Sequence, residues 1–395
     1  MSSPLLEQCS PSARSAIIDQ DHPQSAKVTL LHYSHPLVQL HRKFWLQSLL
    51  DVPENESMNI DEDEGDETGP GCYILNLGIP NVWPELLVCK EYIQLYKFCD
   101  KYLGSHRDDP SPPSVVITGQ PGIELLGYLC FVPTSRQKKP VIWFRSMQYL
   151  FVEEGVFKVP PDHSSTDFKA CIWTLIDADE CRNGIPDYLA PHRTKHLIIL
   201  CSSPQSAQWK CLSKTTECSI AIMDPWTREE IFKAAVIYGL KANDPCIDEM
   251  YNQYGPTPRI CFNFVHNEAI FAAHKARYES TLRKLSLRKF SNMVFDEVNF
   301  DNDGESHTLI LMTRLPMDGD DEDKFAYSRL EPITHMIKLK LQTQLRKETR
   351  AAQITLYNSL ENVEVTRRIV SVVYESLAQE MLEEKIALKL VPIVK

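Results

Sequence analysis

Nowhere in these 395 residues does an unbroken apolar run approach the roughly 18 residues that a membrane-spanning helix needs, so no membrane segment and no membrane partner are expected. No Cys-x-x-Cys pair occurs among the twelve cysteines. They sit instead in apolar runs such as Phe98-Cys99, Leu129-Cys130 and Leu200-Cys201, which predicts reduced, half-buried thiols rather than a disulfide framework. His32, His35 and His41 lie close together, but no cysteine or carboxylate stands at zinc-ligand spacing from them. Positive charge is in deficit: Lys and Arg number 42 against 53 Asp and Glu, a net −11, so no overall basic field draws the chain to nucleic acid. The first twenty residues lack the charged-then-apolar layout of a secretory leader. An intracellular protein, cytoplasmic or nuclear, is therefore expected.

What is present suffices for a sizeable core, since 43% of residues are hydrophobic, and the length suits two or three domains. Residues 1–27 are polar and aperiodic, and read as a disordered tail. Residues 28–110 read as a helical region: the segment Val28–Leu50 has helical character, and Pro84–Leu103 reads as a helix. Between them lies an acidic loop, 51–70. It carries Glu54, Glu56, Asp61, Glu62, Asp63, Glu64, Asp66 and Glu67, a block that repels itself and stays solvated.

From 111 to 225 the pattern changes. Short apolar runs at Val115–Thr118, Val141–Phe144, Cys171–Ile176, Leu197–Cys201 and Ile220–Met223 alternate with polar or helical stretches. This is the signature of a parallel sheet covered on both faces, an α/β core. Residues 226–290 read as a helical lid. Thr227 and Glu230 form a capping box for a helix to about Tyr238, Cys246–Tyr254 ends at Gly255, and Thr257-Pro258 opens a helix running past Leu282. Residues 291–395 form a C-terminal region with a strand over Thr308–Met312 and helices over Ile333–Lys347 and Thr366–Glu384.

The chemistry gathers after the first core strand, in Thr118-Gly119-Gln120-Pro121-Gly122-Ile123. A strand running into Gly-x-Pro-Gly is how a phosphate-binding loop begins, because glycine lets the backbone curl until its N–H groups face phosphate. Gly119, Gln120, Pro121, Gly122 and Ile123 are the candidate nucleotide-binding residues. A complete loop reads Gly-x-x-x-x-Gly-Lys-Ser/Thr; counted from Gly119, the last three places hold Glu124, Leu125 and Leu126. The lysine that would meet the β- and γ-phosphates is missing, as is the hydroxyl that would hold magnesium. Alternatively, three residues are absent between Ile123 and Glu124, and Leu125, Leu126, Tyr128 and Leu129 are the apolar face of the next helix. Alone, Gly119–Gly122 is equally a simple turn.

Three further features follow in order. Trp173-Thr174-Leu175-Ile176-Asp177-Ala178-Asp179-Glu180 is an apolar strand ending in acids, the Walker-B arrangement. There Asp177 and Asp179 are candidate magnesium ligands, and Asp179 and Glu180 vestigial catalytic acids. The strand Leu197–Cys201 ends in Ser202-Ser203-Pro204, where Ser203 suits contact with a terminal phosphate and is equally read as a plain polar strand end. Arg259 sits in the first turn of the expected long helix, where a cation opposes the helix dipole; its partner is a nucleotide phosphate or a nearby acid, Asp248 or Glu249. The basic stretch Lys275, Arg277, Arg283, Lys284, Arg288 and Lys289 is a solvated helix face with only a faint nucleic-acid character.

Taken together, SVVITGQPGI, KPVIWFRSMQYLFVEEGV, WTLIDADE, LIILCSSP, MDPWTREEI and NQYGPTPRI resemble the fungal Crinkler-type NTPases, relatives of the retrotransposon hot spot proteins. The resemblance covers roughly residues 85–290. It implies a P-loop NTPase core of the additional-strand type with sheet order 5-1-4-3-2, a Mg-ATP ligand, and a C-terminal effector, often of the restriction-endonuclease fold. Gly119 and Gly122 then match the family's phosphate loop, Asp177 and Asp179 its Walker-B acids, and Arg259 its lid arginine. Val372-Val373-Tyr374-Glu375 resembles the opening helix of the nuclease fold, but the catalytic strands that should follow lie past Lys395, so an incomplete α+β C-terminal domain without nuclease activity is expected. The expected function is a degenerate NTPase module that holds Mg-ATP weakly, hydrolyses it little, and once governed an effector. The alternatives are a non-enzymatic scaffold for a protein partner, or a Crinkler-like effector.

Overall fold

The computed structural model describes residues 28–46, 72–79, 83–106, 109, 112–119, 126, 129, 139–145, 147–161, 168, 171–178, 181, 184–189, 195–202, 212–237, 239–241, 244–265, 267–295, 308–315 and 325–383. The expected tail 1–27 and acidic loop 51–70 lie outside them. The chain divides into two compact units. One comprises Met1–Thr118, Ile123–Ser203 and Ala207–Ala221; the other is Ile222–Lys395 with Gly119–Gly122 and Pro204–Ser206.

The first unit is α/β. Its strands are β1 (Thr29–Leu30), β2 (Cys72–Ile79), β3 (Trp83–Cys89), β4 (Ser114–Gly119), β5 (Val141–Arg145), β6 (Met147–Val152), β7 (Gly155–Val159), β8 (Ile172–Asp177), β9 (His196–Ser202) and β10 (Cys218–Met223). Helices α1 (Pro36–Leu46), α2 (Lys90–Ser105) and α3 (Leu212–Thr215) accompany them. Among the described residues one sheet has eight strands, in the order β1-β7-β6-β5-β8-β9-β4-β10. Its middle is parallel: β5 with β8, β8 with β9, and β9 with β4. These strands are continuous apolar runs because both faces are covered; every residue of β4 is buried, as are Ile172–Ile176 of β8 and His196–Leu200 of β9. Val116, Phe144, Ile176, Ile198, Leu200 and Leu212 join one core cluster. Helix α2 meets the sheet through Tyr96, whose ring lies 5.9 Å from that of Trp173.

Two local expectations fail in this unit. Pro84–Leu103 is not one helix: Trp83–Cys89 is β3, paired antiparallel with β2, and the helix starts at Lys90. Leu86, Leu87, Val88 and Cys89 are all buried. Four consecutive buried residues suit a strand covered on both sides, not one helical face; the helical spacing begins at Tyr92. Likewise, Val28–Leu50 gives a buried Val28, a two-residue β1 and a helix that starts only at Pro36. The antiparallel β6–β7 extension was not foreseen. It joins β5 through β6 and ends on β1. In it Val152 pairs with Gly155 at φ +145, and His41 of α1 donates from Nε2 to the Val152 carbonyl at 2.5 Å.

The second unit holds α4 (Arg228–Ala235), α5 (Pro245–Tyr254), α6 (Pro258–Asn263), α7 (Glu268–Arg283), α8 (Leu287–Phe295), a hairpin of β11 (Ile310–Arg314) and β12 (Ser328–Pro332), and then α9 (His335–Leu345), α10 (Arg350–Leu360) and α11 (Arg367–Glu383). The capping box forms as expected: Glu230 N–H donates to Thr227 Oγ1 at 3.2 Å and Thr227 N–H to Glu230 Oε2 at 2.7 Å. The long helix from Pro258 does not form. It is two helices, broken where Asn267 caps α7 by accepting from Ile270 N–H at 3.0 Å. Pro258 holds the first helical position, but Thr257 makes no side-chain cap and is buried.

The His274 ring lies 4.7 Å from that of Phe264 and 5.4 Å from that of Tyr254, which in turn meets the Phe271 and Tyr278 rings. Burial, and then the Arg277 charge, holds the His274 imidazole below the ordinary range. The C-terminal elements pack on these helices. Lys340 of α9 lies over the Tyr278 ring at 4.8 Å, Gln344 donates to the Leu285 carbonyl, and Thr334 to that of Gln253. Asp224, just after β10, accepts from Arg314 N–H at 2.7 Å and from its Nη2 at 3.2 Å; the guanidinium also covers Phe325 at 4.5 Å.

Candidate functional site

The parallel strands β4, β9 and β8 bring their carboxyl ends side by side, where α/β sheets place ligands. Thr118 stands opposite Ser202, while Cys201 stands opposite both Ile117 and Asp177. Alternation along the strands then sorts the polar ends. Trp173 meets α2, so Leu175 and Asp177, two and four residues on, face α2 as well, in one row with Cys201 and Ile117. Thr118 and Ser202 belong to the opposite face, with Val116 and Leu200 of the core cluster. The candidate metal ligand Asp177 and the hydroxyl beside the phosphate loop thus share one sheet edge but not one face.

On the α2 side, Asp177 is half-buried. Burial first, then the Asp177 charge and then Cys99 of α2, raises the Cys201 thiol well above its ordinary range, so it stays protonated. On the other side Thr118 is 5% exposed, and its Oγ1 has no hydrogen-bond partner among the described residues. Leaving a buried hydroxyl unpaired costs about 1–3 kcal/mol, so a ligand at this edge that bonded Thr118 would relieve that cost. The sequence reading missed Thr118; its signal was a polar residue closing an otherwise apolar strand immediately before glycine.

Gly119 has a packing reason of its own. A Cβ there would lie 2.8 Å from the Met223 carbonyl oxygen and 3.1 Å from the Met223 Cβ. The glycine is what lets the end of β10 approach β4. Gly119→Ala should therefore cost about 1–3 kcal/mol by overpacking with no nucleotide present, read as a lower urea midpoint at unchanged m. A phosphate-only role would leave the midpoint in place.

Gln120, Pro121, Gly122, Ile123, Asp179, Glu180 and Ser203 lie outside the described residues. Arg259 lies in the second unit, and only its backbone is described. It opens a helix of 6 residues, not a long one, so the opposing dipole is smaller than expected. Asp248, one acid considered for it, holds Arg228 instead, Nε to Oδ1 at 2.6 Å. Glu375 on α11 bonds Lys338 and Gln342 of α9, each at 2.8 Å, and so braces two helices.

No model of a known family matches this chain, and no curated protein matches it in sequence.

A cavity of about 740 Å³ opens in the second unit, lined by Arg228, Glu229, Phe232, Asp244, Pro245 and Asp248. Its acids are engaged: Asp248 by Arg228, Glu229 by Lys233 at 2.9 Å, and Asp244 by Cys246 N–H at 2.9 Å. Nothing in that lining points at phosphate. The strand ends remain the better candidate.

Proposed function

We propose that this chain is a degenerate P-loop NTPase module, related to the Crinkler-type NTPases, that holds Mg-ATP weakly and turns it over little. The observation that carries the reading is the placing of Thr118, Ser202 and Asp177 at adjoining carboxyl ends of β4, β9 and β8. The strand order supports it: with the parallel-core strands numbered from β4 and the β6–β7 extension set aside, β5-β8-β9-β4-β10 reads 2-3-4-1-5, the additional-strand arrangement in reverse. The unpaired Thr118 hydroxyl is a third support.

In this reading, backbone N–H groups after Gly119 hold the phosphates and Thr118 adds a hydroxyl at the base of the loop. Asp177 and Asp179 would hold magnesium, which would neutralise phosphate charge. Without the loop lysine, no fixed cation in the loop stabilises the charge that develops on transfer, so hydrolysis is slow. A scaffold reading has one observation in its favour, since the approach of Met223 accounts for Gly119 without any ligand.

Thermal unfolding with and without millimolar Mg-ATP separates the two. The pair to compare is this chain and a version with Gly-Lys-Thr inserted after Ile123. Ligand at about a hundred times its Kd adds roughly 2.7 kcal/mol, so the inserted version should melt clearly higher with Mg-ATP and the natural chain only slightly. If neither midpoint moves, the nucleotide reading falls and the scaffold reading replaces it.

A further inference from the structure

We propose that Ser286 and Thr349 are paired phosphorylation sites for a Ser/Thr protein kinase that selects basic segments. Two elbows of the second unit have the same make-up. Arg283-Lys284-Leu285-Ser286 leads from α7 into α8, and Arg346-Lys347-Glu348-Thr349 leads from α9 into α10. They are far apart in sequence, yet the fold sets them side by side. Gln344 Nε2 donates to the Leu285 carbonyl at 3.2 Å, and α8 packs on α10. Arg283, Lys284, Arg346 and Lys347 are all exposed. They stand three and two residues before each hydroxyl, as a charge pattern that an acidic kinase groove can read.

Both hydroxyls are exposed, and both cap a helix. Ser286 Oγ accepts from Lys289 N–H at 3.2 Å, and Thr349 Oγ1 from Ala352 N–H at 3.4 Å. Neither hydroxyl donates to an acceptor among the described residues, so each proton is left for a base to take. In the transfer, the hydroxyl oxygen attacks the γ-phosphorus of ATP held by the kinase. The bond to the β-phosphate oxygen breaks, ADP leaves, and the hydroxyl proton passes to the kinase's carboxylate base. Residues 283–289 and 346–350 together hold seven Lys and Arg against one acid, Glu348. Two phosphates bring about three to four negative charges to this face, at helix N-termini, which favour them. A third stretch, Arg288-Lys289-Phe290-Ser291, has the same spelling but a different setting. It lies within α8, Phe290 is completely buried and Ser291 is half-buried. The fold thus separates two accessible acceptors from one that is withheld.

The test uses the full chain, Mg-ATP and the catalytic subunit of cyclic-AMP-dependent protein kinase, with phosphates located by mass spectrometry of the digest. One sample is native and a second is heat-denatured. The native chain should take phosphate at Ser286 and Thr349 and little at Ser291, whereas the denatured chain should take it at all three. Ser286→Ala should remove one phosphate and leave that on Thr349. The comparison of native with denatured protein needs no variant, so it does not depend on a variant folding. The assignment is overturned if the native chain takes phosphate at neither hydroxyl, at one alone, or at Ser291 as readily as at the other two.

Discussion

Replacing Gly255 with alanine should lower the free energy of unfolding by about 2–6 kcal/mol, among the largest single-residue effects in the second unit. Two costs add. At φ +95 and ψ −178 the residue occupies backbone space that is essentially glycine's alone, and a side chain held there costs about 1–3 kcal/mol. The new Cβ would also lie 2.4 Å from Ile333 Cγ1 and 2.8 Å from its Cδ1, and such overpacking costs about 1–3 kcal/mol more. Urea unfolding checks the total, and a double-mutant cycle separates the parts. Ile333→Ala in the Gly255→Ala background should relieve the collision but not the backbone strain, so the double variant should be more stable than the sum of the single losses allows. Additive losses would mean that Ile333 does not hold the turn. Because Gly255, Pro256, Thr257 and Pro258 are all buried, this turn sets where α6, and with it the Arg259 backbone, begins.

Asp224→Ala should cost about 2–3 kcal/mol. Its carboxylate binds both the backbone N–H and the guanidinium of Arg314, whose side chain is only 14% exposed. Removing one partner of a buried pair costs about 3–5 kcal/mol because the other charge is left in protein. The lower figure allows for Asp224 itself, whose side chain is 38% exposed. Replacing Arg314 with methionine should cost less than Asp224→Ala, since it leaves no buried charge and keeps an apolar cover over Phe325. Unfolding midpoints for the two variants give the order, and a harmless Asp224→Ala would show that the pair is ornamental.

Local signals were the legible ones. Thr227 and Glu230 lie three residues apart and satisfy each other, so their capping box could be read without a fold. The parallel strands could be read because burial on both faces makes each an unbroken apolar run. Non-local pairing was hidden: Val88 falls four residues before Tyr92 and mimics a helical step, and only the ladder to β2 makes it a strand residue. The break in the helix after Pro258 was hidden for another reason, since Asn267 is an ordinary polar residue until its side chain caps Ile270. At the site, strand ends were legible but faces were not. Whether Asp177 and Thr118 converge depends on register parity, which a single strand does not encode.

One edge of the eight-stranded sheet is β1, only Thr29 and Leu30. A long, flat outer strand offers a row of unpaired N–H and C=O groups on which a neighbouring molecule can add a strand of its own. Two residues offer almost no such row. Among the described residues the sheet ends at that border on a strand this short, and the shortness alone lowers the propensity for edge-to-edge association there.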